Sequence, residues 1–183
     1  MNSKVMDSVL SLVRDLRLPT GSKVLDVGCG SGTISNILTL EGYNVFGIDI
    51  SPEKIEFAKS CHGDSNINFQ FGNAEDIEFD DCQFDLVLTI GSLEYIRWQR
   101  WAFQEIERVL KPGGYLLIFA ANRLKMTNLI NPKWYFNEFS DLVKRKIAIN
   151  KNVDYIAKSD VAASKTVSSS ILWNKTPFKA QLG

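Results

Sequence analysis

A chain of 183 residues, 45% hydrophobic and 23% charged, is sized for one globular domain: enough for a real core, too short for two ordinary ones. Its formal net charge is zero, yet residues 1–121 hold 10 Lys/Arg against 17 Asp/Glu while residues 122–183 hold 11 against 4, so an acidic part meets a basic one near Asn122. No window reaches the roughly 18 apolar residues of a bilayer-spanning helix, and the opening MNSKVMDSVLSLVRDLRL lacks the apolar core of a signal peptide, so a soluble, cytoplasmic protein is expected.

In chain order, Val5, Val9, Leu12, Val13 and Leu16 recur at helical spacing and predict a helix over 3–17. From residue 23 to 121 short apolar runs alternate with helical patterns, the signature of β-α-β units and a parallel sheet. The predicted strands are 23–27 (KVLDV), 44–48 (NVFGI), 67–71 (INFQF), 84–90 (FDLVLTI) and 115–121 (YLLIFAA). Between them Ile34, Ile37, Leu38 and Leu40 form one apolar helix face that Glu41-Gly42 ends, and Ser51-Pro52-Glu53 opens the next helix with a cap and a proline at its first position. A third helix is predicted over 97–110 from Trp98, Ala102, Ile106, Val109 and Leu110, and Lys111-Pro112-Gly113-Gly114 is expected to break the chain before the last strand. Trp98 and Trp101 are read as packing residues in preference to a substrate mouth. Past Asn122 only 133–149 has amphipathic helical spacing, and 158–172 is small, polar and serine-rich.

Three cysteines, Cys29, Cys61 and Cys82, are odd in number and contain no C-x-x-C pair, so free thiols are expected and no metal site. Cys61 beside His62, the single histidine, reads as a helix end. The informative stretch is VLDVGCGSGTIS, in which Gly28, Gly30 and Gly32 alternate at a strand-to-helix turn. Glycines there permit positive φ and let a ligand approach main-chain N–H groups. The G-x-G-x-x-G of nicotinamide-binding proteins is not met, because Thr33 stands where the third glycine belongs; nor is a nucleoside triphosphate loop, which needs a following lysine. Asp49 ends the second strand 21 residues beyond Gly28, the spacing at which a carboxylate accepts from both hydroxyls of an adenosine ribose. Ser51 holds the better position to cap the helix, which leaves Asp49 for the ligand.

Together VLDVGCGSGTIS, GIDIS, GNAEDIEF (72–79), FDLVLTIGSLEYI (84–96) and VLKPGGYLLI (109–118) resemble the class I S-adenosylmethionine-dependent methyltransferases over residues 20–121. The resemblance implies a doubly wound, mainly parallel, Rossmann-like α/β sheet of strand order 3-2-1-4-5, and S-adenosylmethionine as cofactor. By the same resemblance Asp26, Gly28, Cys29, Gly30 and Gly32 hold the methionine part, Asp49 the ribose and Ile50 the adenine. Asn73, Ala74 and Glu75 are implied at the adenine edge, with Asn73 where an aspartate is common, and Ile90, Gly91 and Leu93 beneath the methionine. A sulfonium without phosphate suits a main-chain cradle in an acidic part of the chain.

Methyl transfer needs alignment more than acid–base help, and no catalytic residue is assigned; Glu94 and Tyr95, after the fourth strand, are the nearest candidates for a base. Thr89-Ile90-Gly91-Ser92 replaces the N/D-P-P-[YF] tetrapeptide of nucleic-acid and protein amine methyltransferases, so a small-molecule acceptor is expected, at an oxygen, nitrogen or carbon atom, and nucleic acid is disfavoured. The family adds two strands after the fifth, one of them antiparallel, and no convincing pair of buried patterns follows Ala121. Residues 1–183 therefore read as one methyltransferase domain, with 20–121 its cofactor-binding core and 122–183 either an incomplete end, which would bare the edge of strand five, or a basic substrate-side segment. Two other readings stay open: a non-catalytic S-adenosylmethionine-binding sensor or partner subunit, and a nicotinamide-dependent enzyme.

Overall fold

The computed structural model describes residues 3–63, 65–121 and 168–174. In chain order they form α1 (Ser3–Asp15), β1 (Lys23–Val27), α2 (Thr33–Leu40), β2 (Asn44–Asp49), α3 (Pro52–His62), β3 (Asn68–Phe71), β4 (Phe84–Ile90), a 3-10 turn (Leu93–Tyr95), α4 (Gln99–Val109), β5 (Leu110–Ala121) and β6 (Ser168–Asn174). The sheet runs β3-β2-β1-β4-β5-β6, with the first five strands parallel, as the sequence implied, and β6 antiparallel to β5.

Both faces of a parallel sheet are covered, so its strands read as continuous apolar runs. The two-residue period of each strand then divides them between two cores. Val24, Val45, Leu86, Leu88 and Leu117 face one side, where Val9 and Val13 of α1 and Ile34 and Leu38 of α2 pack. Leu25, Val87, Leu116 and Ile118 face the other, against Ile106 and Val109 of α4. Truncating the leucines and isoleucines among these buried side chains to alanine would cost about 2–5 kcal/mol each. α3 covers Phe69 of β3 through Ile55 and Ala58. Its start is as the sequence predicts: Pro52 opens the helix and the Ser51 hydroxyl accepts from the Lys54 N–H.

Two expectations are corrected. Lys111-Pro112-Gly113-Gly114 does not separate helix from strand, because β5 begins at Leu110, directly after α4. Leu110 pairs with Phe84 and Tyr115 with Leu86, and the register shift between these pairs absorbs the extra residues. The Lys111 ammonium, 2.8 Å from Asp85 Oδ1, fastens that irregularity to β4. The free edge of strand five is likewise not found, since Ser168–Asn174 pairs with β5 from Ala121 back to Tyr115. Ser168-Ser169-Ser170 lack the apolar alternation by which a strand is read, which is why this one was missed. The helix predicted over 133–149 lies outside the described residues.

The strand order reverses between β1 and β4, whose carboxyl ends diverge into loops on opposite faces. In doubly wound sheets that crevice is where ligands bind.

Candidate functional site

The loop after β1 is tied to β2. The N–H groups of Gly28 and Cys29 both donate to the Ile48 carbonyl, at 2.8 and 2.9 Å, and that of Gly30 donates to Asp49 Oδ2 at 2.9 Å. The three glycines differ in what surrounds them. A β-carbon on Gly28 would lie 2.3 Å from the Ser92 β-carbon, and one on Gly32 would lie 2.4 Å from the Phe69 ring. Gly30, also at positive φ, has no atom within 4 Å of that position. Gly91, after β4, has none either. Of the glycines in the loops after β1 and β4, Gly30 and Gly91 leave the main chain open, on the two sides of the switch point.

Asp49 is 5% exposed, and its second oxygen accepts from the Ser51 N–H at 3.0 Å. Two main-chain donors fix the carboxylate plane, and each oxygen keeps further acceptor capacity. Lys54 lies 3.9 Å from Oδ2 with its side chain mostly exposed, a weak pair. Next in sequence, Ile50 is 65% exposed and offers a bare apolar side chain at the rim.

Asp26 is enclosed within β1, where its carboxylate accepts from the Ser35 hydroxyl at 2.6 Å. Burial raises its pKa from 3.8 to about 7, opposed by the Ser35 bond and aided by the Asp49 charge. Burial, with the charges of Asp26 and Asp49, pushes the Cys29 thiol well above its ordinary range, so it stays protonated and un-nucleophilic at neutral pH.

After β3, the Asn73 side-chain carbonyl accepts from the Glu75 N–H at 3.0 Å, and Ala74 is half-buried. Glu75 Oε1 accepts from the Trp98 N–H at 2.9 Å, which joins this loop to the entry of α4. Ile90 is half-buried at the end of β4. Ser92 was not singled out from the sequence, yet its hydroxyl donates to the Val27 carbonyl at 2.8 Å and lies 2.7 Å from the Thr89 hydroxyl. It locks the ends of β1 and β4 together and dictates the glycine at 28. Ser35, the partner of Asp26, was missed as well; an isolated hydroxyl at these positions carries no signal in the sequence. Of the two candidate bases, Tyr95 is 78% exposed, while Glu94 keeps a buried Oε2 with no hydrogen-bond partner among the described residues. Trp98 and Trp101, read as packing residues, are 51% and 57% exposed, a correction explained by their place on the outer side of the turn into α4, whose inner face is made by Ala102, Ile106 and Val109.

These residues fit S-adenosylmethionine. The open space at Gly30 and Gly91 admits a ligand to the main chain, Asp49 and Ile50 stand together beyond it, and no lysine or arginine of the described residues bonds to the loop as a phosphate clamp would. A family model described as a methyltransferase domain matches residues 25–118, more than half of the chain. The O-methyltransferase resE of Aspergillus sclerotiorum is 39% identical over 103 residues, 54% of this chain and 39% of that protein. The 2-methyl-6-phytyl-1,4-hydroquinone methyltransferase of Synechocystis is 38% identical over 103 residues, 55% of this chain and 32% of that protein. The matched region thus spans less than half the length of either relative. Among solved structures, the PH0226 protein from Pyrococcus horikoshii superposes with a TM-score of 0.69 at 25% identity, over 95% of this chain and 90% of its own. By its sheet order, its glycine turn and these likenesses, the chain belongs to the class I S-adenosylmethionine-dependent methyltransferases.

Proposed function

We propose that the protein transfers a methyl group from S-adenosylmethionine to a small-molecule acceptor, most readily a hydroxyl, as the O-methyltransferase relative suggests. The observation that carries this reading is the open main chain at Gly30 beside a carboxylate, Asp49, whose orientation is fixed by the Gly30 and Ser51 amides. Gly28, Cys29, Gly30 and Gly32 form the cradle for the methionine part. Asp49 takes the ribose hydroxyls and Ile50 one face of the adenine, whose edge meets Asn73, Ala74 and Glu75. Asp26, implied with the glycine loop at the methionine part, is buried beneath that loop and joins β1 to α2 through Ser35, and Ile90 with Gly91 forms the floor toward the acceptor.

The bound cofactor supplies a methyl group activated by a positively charged sulfur. The protein's part is to hold the acceptor in line, about 3 Å from the carbon it attacks, and to exclude water; such alignment can supply much of the acceleration. A hydroxyl also loses a proton. Glu94, in the turn after β4, has a carboxylate oxygen without a hydrogen-bond partner among the described residues and is the group proposed to receive it. Glu94→Gln is expected to lower kcat about 10²–10⁴-fold with cofactor affinity unchanged. Unchanged kcat in single-turnover assays would remove Glu94 from the reaction.

The test is transfer of labelled methyl from S-adenosylmethionine into hydroxylated metabolites. Tight cofactor binding with no labelled product would favour the second reading, a sensor or partner subunit that binds the cofactor without using it.

A further inference from the structure

The turn from β4 into α4 carries an exposed aromatic and cationic surface. In Tyr95-Ile96-Arg97-Trp98-Gln99-Arg100-Trp101 the three large aromatic side chains are 78%, 51% and 57% exposed, and both arginines are exposed with them. The two indole rings lie 6.0 Å apart, inclined by 31°, and the Arg97 guanidinium sits 5.1 Å above the Trp98 ring. Arg14 and Arg108 are held in ion pairs with Glu41 and with Asp81 and Glu105. Neither Arg97 nor Arg100 has a carboxylate partner among the described residues. A single exposed aromatic needs no explanation, but three in one turn beside two unpaired cations do.

The chemistry of the patch selects its partner. Tyrosine and tryptophan combine an apolar body with one polar tip, and arginine an apolar stem with a cationic head, the combination that settles in the headgroup layer of a bilayer. Two exposed guanidinium heads with no carboxylate partner among the described residues favour an anionic partner. Residues 122–183, with 11 Lys/Arg against 4 Asp/Glu, share the sign of the two arginines. A second copy of the patch would set arginine against arginine.

We propose that this turn docks the protein on an anionic lipid surface, with Tyr95, Trp98 and Trp101 entering the headgroup layer and Arg97 and Arg100 meeting lipid phosphates. The turn follows the carboxyl end of β4, and the Trp98 N–H is bonded to Glu75 in the loop after β3, so the patch lies at the same end of the sheet as the cofactor cradle. Docking would turn that end toward the bilayer. The inference concerns the surface alone and stands whether or not the protein transfers methyl groups.

The test is flotation of the full chain with vesicles of phosphatidylcholine, with and without phosphatidylglycerol. Binding is expected to the mixed vesicles, to fall in high salt and to be weak on phosphatidylcholine alone. W98S/W101S and R97Q/R100Q should each weaken partitioning at least about tenfold while keeping the wild-type melting temperature. In a W134F/W173F chain, brominated lipid in the mixed vesicles should quench the two remaining indoles, a reading that survives if either double variant misfolds. Absence of flotation, absence of quenching, or flotation of both folded double variants equal to that of the wild type would overturn the proposal. So would tighter binding to single-stranded RNA than to vesicles, or self-association that W98S/W101S abolishes in their place.

Discussion

The underside and the rim of the glycine loop follow opposite rules. Underneath, Gly28 and Gly32 are glycine because Ser92 and the Phe69 ring already fill the space of a side chain. At the rim, Gly30 and Gly91 face open space. One G-x-G-x-G pattern thus mixes residues demanded by packing with one left free for a ligand, and a substitution should separate stability from binding according to which side it strikes.

Gly28→Ala should have the largest effect. Positive φ costs an alanine about 1–2 kcal/mol and overlap with the Ser92 β-carbon about 1–3 more, so a loss of about 2–5 kcal/mol in thermal or urea unfolding is expected. Because Ser92→Gly alone loses the bond to the Val27 carbonyl, the overlap part should show as non-additivity: Gly28→Ala should cost less in the Ser92→Gly background than in the wild type, and an equal cost would show that the glycine is there for another reason. Gly30→Ala bears only the conformational cost, about 1–2 kcal/mol of stability, but places a methyl group where the cofactor should lie. Its affinity for S-adenosylmethionine should fall by at least about tenfold, equivalent to 1.4 kcal/mol, measured by calorimetry at a temperature where the variant is folded. Equal affinity would move the ligand off this rim.

A smaller effect tests the electrostatics beneath the loop. Asp26 titrates at about 7 in the fold and at its ordinary 3.8 outside it, so the folded protein holds the extra proton between these values. The stability linked to that proton is complete below pH 3.8 and is lost as pH rises through about 7. Asp26→Asn keeps an acceptor for the Ser35 hydroxyl and removes the titration. From about pH 5 to pH 8 the melting temperature of the wild type should therefore fall relative to that of the variant; parallel curves would mean that Asp26 is not the buried acid described.

The central sheet was legible because its strands are buried on both faces, and runs such as FDLVLTI have no other plausible reading. The place of Asp49 at the end of β2, beside the glycine turn, was legible by its distance from Gly28, and Ser51 caps the next helix as expected. β6 was hidden by three serines, and the start of β5 by a proline and two glycines that a register shift accommodates. Ser92 and Ser35 could not be found at all, since their roles arise only when β4 lies beside β1 and α2 follows its loop. The exposure of Trp98 and Trp101 was misread for a related reason: helical spacing marks an apolar stripe but does not say that its first turn extends beyond the core.

The most direct test of the site is calorimetric titration with S-adenosylmethionine, S-adenosylhomocysteine and NAD of the wild type and of Asp49→Ala. One-to-one binding of both adenosyl compounds, little or none of NAD, and a loss of about 1.5–3 kcal/mol in the folded variant are expected, the scale of charge-assisted hydrogen bonds. Tighter binding of NAD, or an affinity that Asp49→Ala leaves unchanged, would contradict the assignment of this rim to the adenosyl cofactor.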